Sequence, residues 1–160
     1  MKYQPKVTYK SEDSVMTPLW LAEKIVNHYN PSGDILEPCK GKGAFLKYLP
    51  ANTQWCEIDE GIDFMDYSGK VDWIITNPPW SKIRDFLRKG FEVSDNVVYL
   101  FTINHMWTKA RLRMMKEAGF NISEIILLPS IPEFPQTGFQ LGVLYLKRGY
   151  TGKITLTDWT

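Results

Sequence analysis

The chain has 160 residues, 44% of them hydrophobic and 14% aromatic, which is enough apolar material for one domain with a real core. Nineteen Lys and Arg against 18 Asp and Glu leave a formal net charge of +1. That excludes the uniformly basic balance of a protein that coats nucleic acid, though not a local basic face. No apolar run approaches the roughly 18–20 residues of a membrane span, and the N-terminus lacks a leader's hydrophobic stretch. Cys39, Cys56, His28 and His105 show no metal-ligand spacing, so a cytoplasmic protein with reduced thiols, no membrane contact and no metal is expected.

Residues 1–15 are polar and read as an N-terminal arm on a single domain spanning 1–160. Thr17 then reads as an N-cap with Pro18 at the first helical position, and Leu19, Ala22, Ile25 and Val26 form one face of the helix that residues 30–33 stop. A short strand over 34–37 leads into the glycine turn 38–43 and a helix through about residue 49. Strands follow over 53–59 and 71–76, a helix over 81–93, and a buried strand over 96–103. A helix over 108–118 closes on Gly119, strands cover 122–128 and 142–146, and 153–156 forms a last short one. This alternation predicts an α/β fold, an open, mostly parallel sheet with helices on both faces. Between residues 59 and 71 there is no room for both a helix and a full strand, so the sheet is expected to be trimmed on that edge.

Glu37-Pro38-Cys39-Lys40-Gly41-Lys42-Gly43 lies between a strand and a helix, where ligands bind in open α/β sheets. Gly41 and Gly43 let the backbone approach a ligand. A P-loop is excluded because Gly43, not Ser or Thr, follows Lys42, and the dinucleotide fingerprint fails at Leu46. A plain tight turn is the alternative. With Ala44-Phe45-Leu46 behind it, the stretch resembles the S-adenosylmethionine-binding loop of amino-methyltransferases. The resemblance implies that Glu57 accepts from the ribose hydroxyls and that Ile58 packs on the adenine. It places Asp63 on the adenine amine and Phe64 over the ring. The alternative for these acids is a solvated loop.

The most specific stretch is Asn77-Pro78-Pro79-Trp80 at the end of an apolar strand. An exocyclic amine conjugated to a ring is a poor nucleophile because its lone pair is delocalised. The Asn77 side-chain oxygen and the Pro78 carbonyl can each accept one N–H, drawing the nitrogen toward tetrahedral geometry and freeing the lone pair. Pro78 and Pro79 keep both acceptors aimed, and Trp80 offers a face on which a base can stack. Without ligands, the two prolines would simply make a rigid turn.

In the order of these motifs the chain resembles the class I DNA adenine-N6 methyltransferases of NPPW type with the cofactor segment first. The resemblance covers most of residues 15–147. It implies that Thr17 touches the cofactor carboxylate and that Glu37, Pro38, Gly41, Gly43, Phe45 and Asn77 also line the cofactor site. It further implies a Rossmann-like fold and transfer of a methyl group to adenine N6 in DNA. Relatives carry a separate target-recognition domain for which 160 residues leave no room, so specificity is expected to be low or supplied by a homodimer or a partner subunit.

Lys82, Arg84, Arg88 and Lys89 against Asp85 give a local +3, and Lys109, Arg111, Arg113 and Lys116 against Glu117 another; residues 54–72 sum to −5. The near-zero total therefore conceals a polarised surface. Lys82 and Arg84 are candidate phosphate contacts and His105 and Trp107 candidate site-lining residues. Phe134 or Phe139, in an irregular loop, is a candidate to stack a base opposite Trp80, with core packing as the alternative for either. Two rival functions remain: methylation of RNA adenine or a protein glutamine, and a non-enzymatic nucleic-acid-binding or regulatory module.

Overall fold

The computed structural model describes residues 15–160; of the arm expected over residues 1–15, all but Val15 lies outside the described residues. In chain order these form helix α1 (Leu19–Tyr29), strands β1 (Ile35–Glu37), β2 (Gln54–Trp55) and β3 (Val71–Thr76), helix α2 (Ile83–Val93) and strand β4 (Ser94–Thr102). Helix α3 (Lys109–Glu117) and strands β5 (Phe120–Leu127), β6 (Leu141–Arg148) and β7 (Thr155–Asp158) follow. The strands build one sheet in the order β2-β1-β3-β4-β6-β5-β7. Only the pairings of β6, with β4 and β5, are antiparallel, so the sheet is mostly parallel as expected.

The central strand shows why the chain makes two cores. Along β4, Val97, Tyr99 and Phe101 enter one hydrophobic cluster while Val98 and Leu100 enter the other, the period-2 alternation of a strand buried on both faces. α2 and α3 cover the first face through Phe86, Leu87, Phe91 and Met115. α1 covers the second through Leu21, Ala22, Ile25 and Val26.

Three local expectations are corrected. Thr17 does not cap α1. Pro18 holds an extended conformation (ψ 139°) and its carbonyl accepts from the Leu21 and Ala22 amides at 3.1 Å, so the helix begins one residue later. The helix expected over 43–49 is a series of turns instead. Gly41 and Gly43 sit at φ +53° and +85°, and Pro50 follows too soon for a helical nucleus to be extended. The second strand shrinks to Gln54–Trp55, because residues beyond it turn away in two 3-10 turns, Ile58–Glu60 and Phe64–Asp66, capped by the Glu57 and Asp63 side chains. Those turns replace a full crossover and leave the sheet trimmed at β2. No helix among the described residues is long and apolar enough to cross a membrane.

Candidate active site

β1 has β2 on one side and β3 on the other, so the chain leaves β1 in opposite directions for its next two strands. Such a reversal opens a crevice beyond the carboxyl ends of the strands, the usual ligand position in open α/β sheets. A cavity of about 820 Å³ occupies it, bounded by the segments that follow β1, β2 and β3 and by the start of α1. Its volume falls in the range of small-molecule sites.

The residues expected at one end are brought together. Thr17, Pro38, Gly41, Phe45 and Asn77 all line the cavity. Asn77 donates from Nδ2 to the Val15 carbonyl at 3.2 Å, fixing which end of its amide faces the backbone and leaving Oδ1 as the acceptor end. Gly41 is favoured by its φ of +53°, and a Cβ there would sit tightly, 3.1 Å from Sδ of the flexible Met16 side chain.

Glu57, Ile58, Asp63 and Phe64 line the other end. Glu57 Oε2 accepts from Gly41 N at 2.7 Å and Oε1 from Asp59 N at 3.1 Å, which ties the second strand's turn to the glycine turn. A carboxylate has about four lone-pair sites, so each oxygen keeps acceptor capacity toward the cavity. Asp63 Oδ1 accepts from Met65 N at 2.9 Å. The Phe64 ring is buried against Phe86, centroids 5.3 Å apart. Phe86 thus joins the cavity wall, a role that a place in the helix expected over 81–93 does not signal.

Glu37 and Gly43 do not line the cavity. Glu37 is 1% exposed and lies beneath it, accepting from Cys39 N at 2.8 Å and from Thr76 Oγ1. Burial pushes its carboxyl up to about 8, a rise that those two hydrogen bonds reduce and nearby Glu57 adds to. Burial, with the same acids close by, also raises the Cys39 thiol, and burial followed by Asp63 and Glu37 puts Cys56 at about 11. Neither thiol is a nucleophile near neutral pH.

Beyond the cavity the expected substrate residues separate. Pro79 and Lys82 line it, whereas Pro78 is buried. Trp80 offers less than the open face expected. Its ring stacks on Phe134 (centroids 6.0 Å apart, planes 14° apart), and its Nε1 donates to the Leu100 carbonyl at 3.3 Å. Phe134 is 3% exposed and belongs to the core on the α1 face, so of the two readings for it core packing applies. Phe134 and Phe139 line a second cavity of about 270 Å³ in the loop between β5 and β6, with Thr102 at its base. His105 stands between the Trp80 and Phe101 rings at 6.2 and 5.9 Å; burial and then Arg111 hold its pKa below the ordinary value, so it is neutral near pH 7. Arg84 and Trp107 are exposed and line neither cavity. The Asn77–Trp80 turn therefore connects the two cavities, with Pro79 on the large one and Trp80 backing Phe134 on the small one.

Sequence reasoning missed Lys40, Lys42 and Asp85, which also line the large cavity. Lys40 is neutralised by Glu60 at 2.6 Å and lies 3.7 Å from the centroid of the Trp55 ring. A charged residue in a turn carries no signal that separates such a role from solvation.

No protein-family model matches the sequence, and no curated protein matches it. Solved structures do. The chain is similar to a candidate RNA methyltransferase from Pyrococcus horikoshii (18% identity, 81% of this chain and 80% of that one, TM-score 0.56). It is similar to a candidate class I S-adenosylmethionine-dependent methyltransferase from Listeria monocytogenes (14% identity, 92% and 66%, TM-score 0.65). A third likeness is to the EcoKI M protein of a type I restriction enzyme (15% identity, 88% and 45%, TM-score 0.66), of which the chain spans less than half the length. At these identities the likeness concerns architecture, and the architecture is the Rossmann-like fold of class I methyltransferases.

Proposed function

We propose that this chain is an N-methyltransferase that uses S-adenosylmethionine and acts on the exocyclic N6 amine of adenine in DNA. One observation carries the reading: Asn77 and Pro79, in the turn that leaves the carboxyl end of β3, line the same cavity as the glycine turn, Glu57 and Asp63.

The donor set fits the cofactor. Glu57 and Asp63 are acceptors for hydroxyls and an amine, Ile58 and Phe64 are apolar faces for a ring, and Gly41 leaves backbone room that a side chain would fill. Thr17 would hold the cofactor's carboxylate end and Asn77 lies beside the reacting carbon's expected place. Bound there, S-adenosylmethionine supplies a methyl group activated by its sulfonium. The chain's own part is to present the acceptor. Asn77 Oδ1 and the Pro78 carbonyl take the two N–H groups of the amine, and the paired prolines hold both acceptors still. Trp80, braced by Phe134 and His105, walls the acceptor side. Glu37 supports the turn from beneath, and Phe45 adds an apolar part of the cavity wall.

The likeness to a type I restriction-enzyme M protein favours DNA, and that to an RNA methyltransferase supplies the main rival acceptor. Target selection by a partner subunit or a second copy accompanies the proposal, in line with the likeness to an M protein of a restriction enzyme. The test is incubation with labelled S-adenosylmethionine and DNA, RNA and protein, followed by nucleoside and amino-acid analysis. N6-methyldeoxyadenosine is expected, and Asn77→Ala should reduce it by about 100-fold or more. Label in RNA adenosine or glutamine reassigns the acceptor, and unchanged turnover in Asn77→Ala removes the role given to that side chain.

A further inference from the structure

The corner where β4 meets α3 presents an aromatic ring that neither core nor cavity uses. Trp107 is 46% exposed, yet the backbone beneath it is firmly held. Met106 before it is buried completely, Trp107 N donates to the Asn104 carbonyl at 3.2 Å, and Arg111 bridges to the His105 carbonyl at 2.7 Å. Thr108 then caps α3 through its hydroxyl, which accepts from Arg111 N. A large ring displayed on a fixed turn loses little freedom when something stacks on it.

The charge around it selects the partner. β3 and β4 are adjacent and parallel, so α2 and α3, which follow them, both start above the carboxyl edge of the sheet and pack side by side. Arg84, second in α2, and Lys109, first in α3, are exposed at those helix starts, and Arg113 is exposed one turn further along α3. Asp85, the nearest acid on α2, is engaged by Arg88 at 2.6 Å. The two other exposed aromatics among the described residues lack such company. Phe139 sits in a loop, residues 128–141, whose one charged residue is Glu133, and Trp20 lies on α1 with Glu23 and Lys24 one turn on, the Lys24 ammonium being held over the Trp159 ring at 4.3 Å. Trp107 also extends a line that begins at the catalytic turn, since its near neighbour His105 packs on Trp80.

We propose that a single-stranded stretch of the substrate nucleic acid crosses this corner, with one base stacked on Trp107 and phosphates held by Arg84, Lys109 and Arg113. The inference rests on the nucleic-acid reading of the acceptor. It places the sugar-phosphate track on the α2–α3 side and not along the 128–141 loop, and it gives the chain a grip on nucleic acid that needs no base-specific recognition.

The test is binding of fluorescent single-stranded DNA to the purified chain across a salt series, with melting temperature as the folding control. Trp107→Ala should weaken binding about tenfold at fixed salt and leave the salt slope unchanged, while Trp107→Phe keeps most of the affinity. Replacing Arg84, Lys109 and Arg113 by Gln should lower the slope of log K against log salt by about 0.7 for each phosphate-binding cation removed. Wild-type affinity in Trp107→Ala, or an unaltered slope in the triple variant, overturns the track while leaving the methyltransferase reading in place. Failure of the wild-type chain to bind any oligonucleotide, with S-adenosylhomocysteine still bound, overturns both the track and the nucleic-acid acceptor and spares the cofactor.

Discussion

A carboxyl group buried without a cation must either lose its charge or find donors, and Glu37 does some of both. It has the Cys39 amide and the Thr76 hydroxyl, but Glu57 stands near, and no ion pair among the described residues reaches it. With its folded pKa near 8 against an ordinary value of 4.5, the folded state binds the extra proton between those limits. Its contribution to stability is therefore fully present below about pH 4.5 and is lost as pH rises toward 8. The wild-type melting temperature should fall from about pH 6 to about pH 9 relative to that of Glu37→Gln, which mimics the neutral acid without a titration. Parallel curves for the two proteins would mean that Glu37 is ionised throughout. The identity of this residue was legible in the sequence, as the acid opening the glycine turn, but its position was not. An acid at a strand end reads equally well as a ligand contact or a buried support, and only the burial of all three β1 residues decides for support.

Elements were legible where periodicity is strong and obscure where side chains from distant segments take over. Strand β4 follows directly from the unbroken apolar run over residues 97–101, and helix α2 from helical apolar spacing. The start of α1 does not, since Thr17 satisfies the local rule for a cap while the cavity claims its neighbourhood. The attachment of β7 is less visible still. Besides its parallel backbone pairing with β5, it uses Glu124 in β5, whose carboxylate accepts from Thr157 Oγ1 at 2.6 Å, from Tyr29 Oη at 2.8 Å and from His28 Nε2 at 2.9 Å. One side chain thus fastens the end of α1 and the last strand to the sheet. Burial alone would raise this carboxyl, but the hydrogen bonds from Thr157, Tyr29 and His28 together carry it below the ordinary value. Its stabilising contribution is accordingly present above about pH 4.5 and lost as pH falls through the lowered value. Glu124→Ala should cost about 2–3 kcal/mol at about pH 7, because it strands three donors in a half-buried place. Hydrogen exchange should show the loss concentrated in β7 and the end of α1. A uniform loss across the sheet would show that Glu124 is not their common fastening.

At the scale of the whole molecule, the cavity is a consequence of strand order. The chain reverses direction about β1, and the three turns that meet at the reversal each bring one kind of group: glycines after β1, acids after β2, Asn-Pro-Pro after β3. The same reversal concentrates acidic residues near one edge while the helices that follow β3 and β4 carry the cations. A net charge of +1 thus conceals two differently charged regions, for which the proposals above give opposite tasks, a cation-receiving crevice and a phosphate-facing corner. The segments around the crevice are joined by Glu57 to Gly41, Lys40 N to the Cys56 carbonyl, Thr76 to Glu37, Asn77 to Val15, and Lys40 to Glu60. A ligand that spans the cavity would touch all three turns at once and add further links between them. S-adenosylhomocysteine at about a hundred times its dissociation constant should stabilise the fold by about 2.7 kcal/mol. For a chain of this length that corresponds to a rise in melting temperature of roughly 5–10 °C. Glu57→Ala should lose most of that rise while changing the ligand-free melting temperature far less, because the side chain is only partly buried and its two backbone links lie at the cavity rim. No rise at millimolar ligand in the wild-type chain would remove the cofactor from the crevice, and an equal rise in Glu57→Ala would move the ribose contact elsewhere.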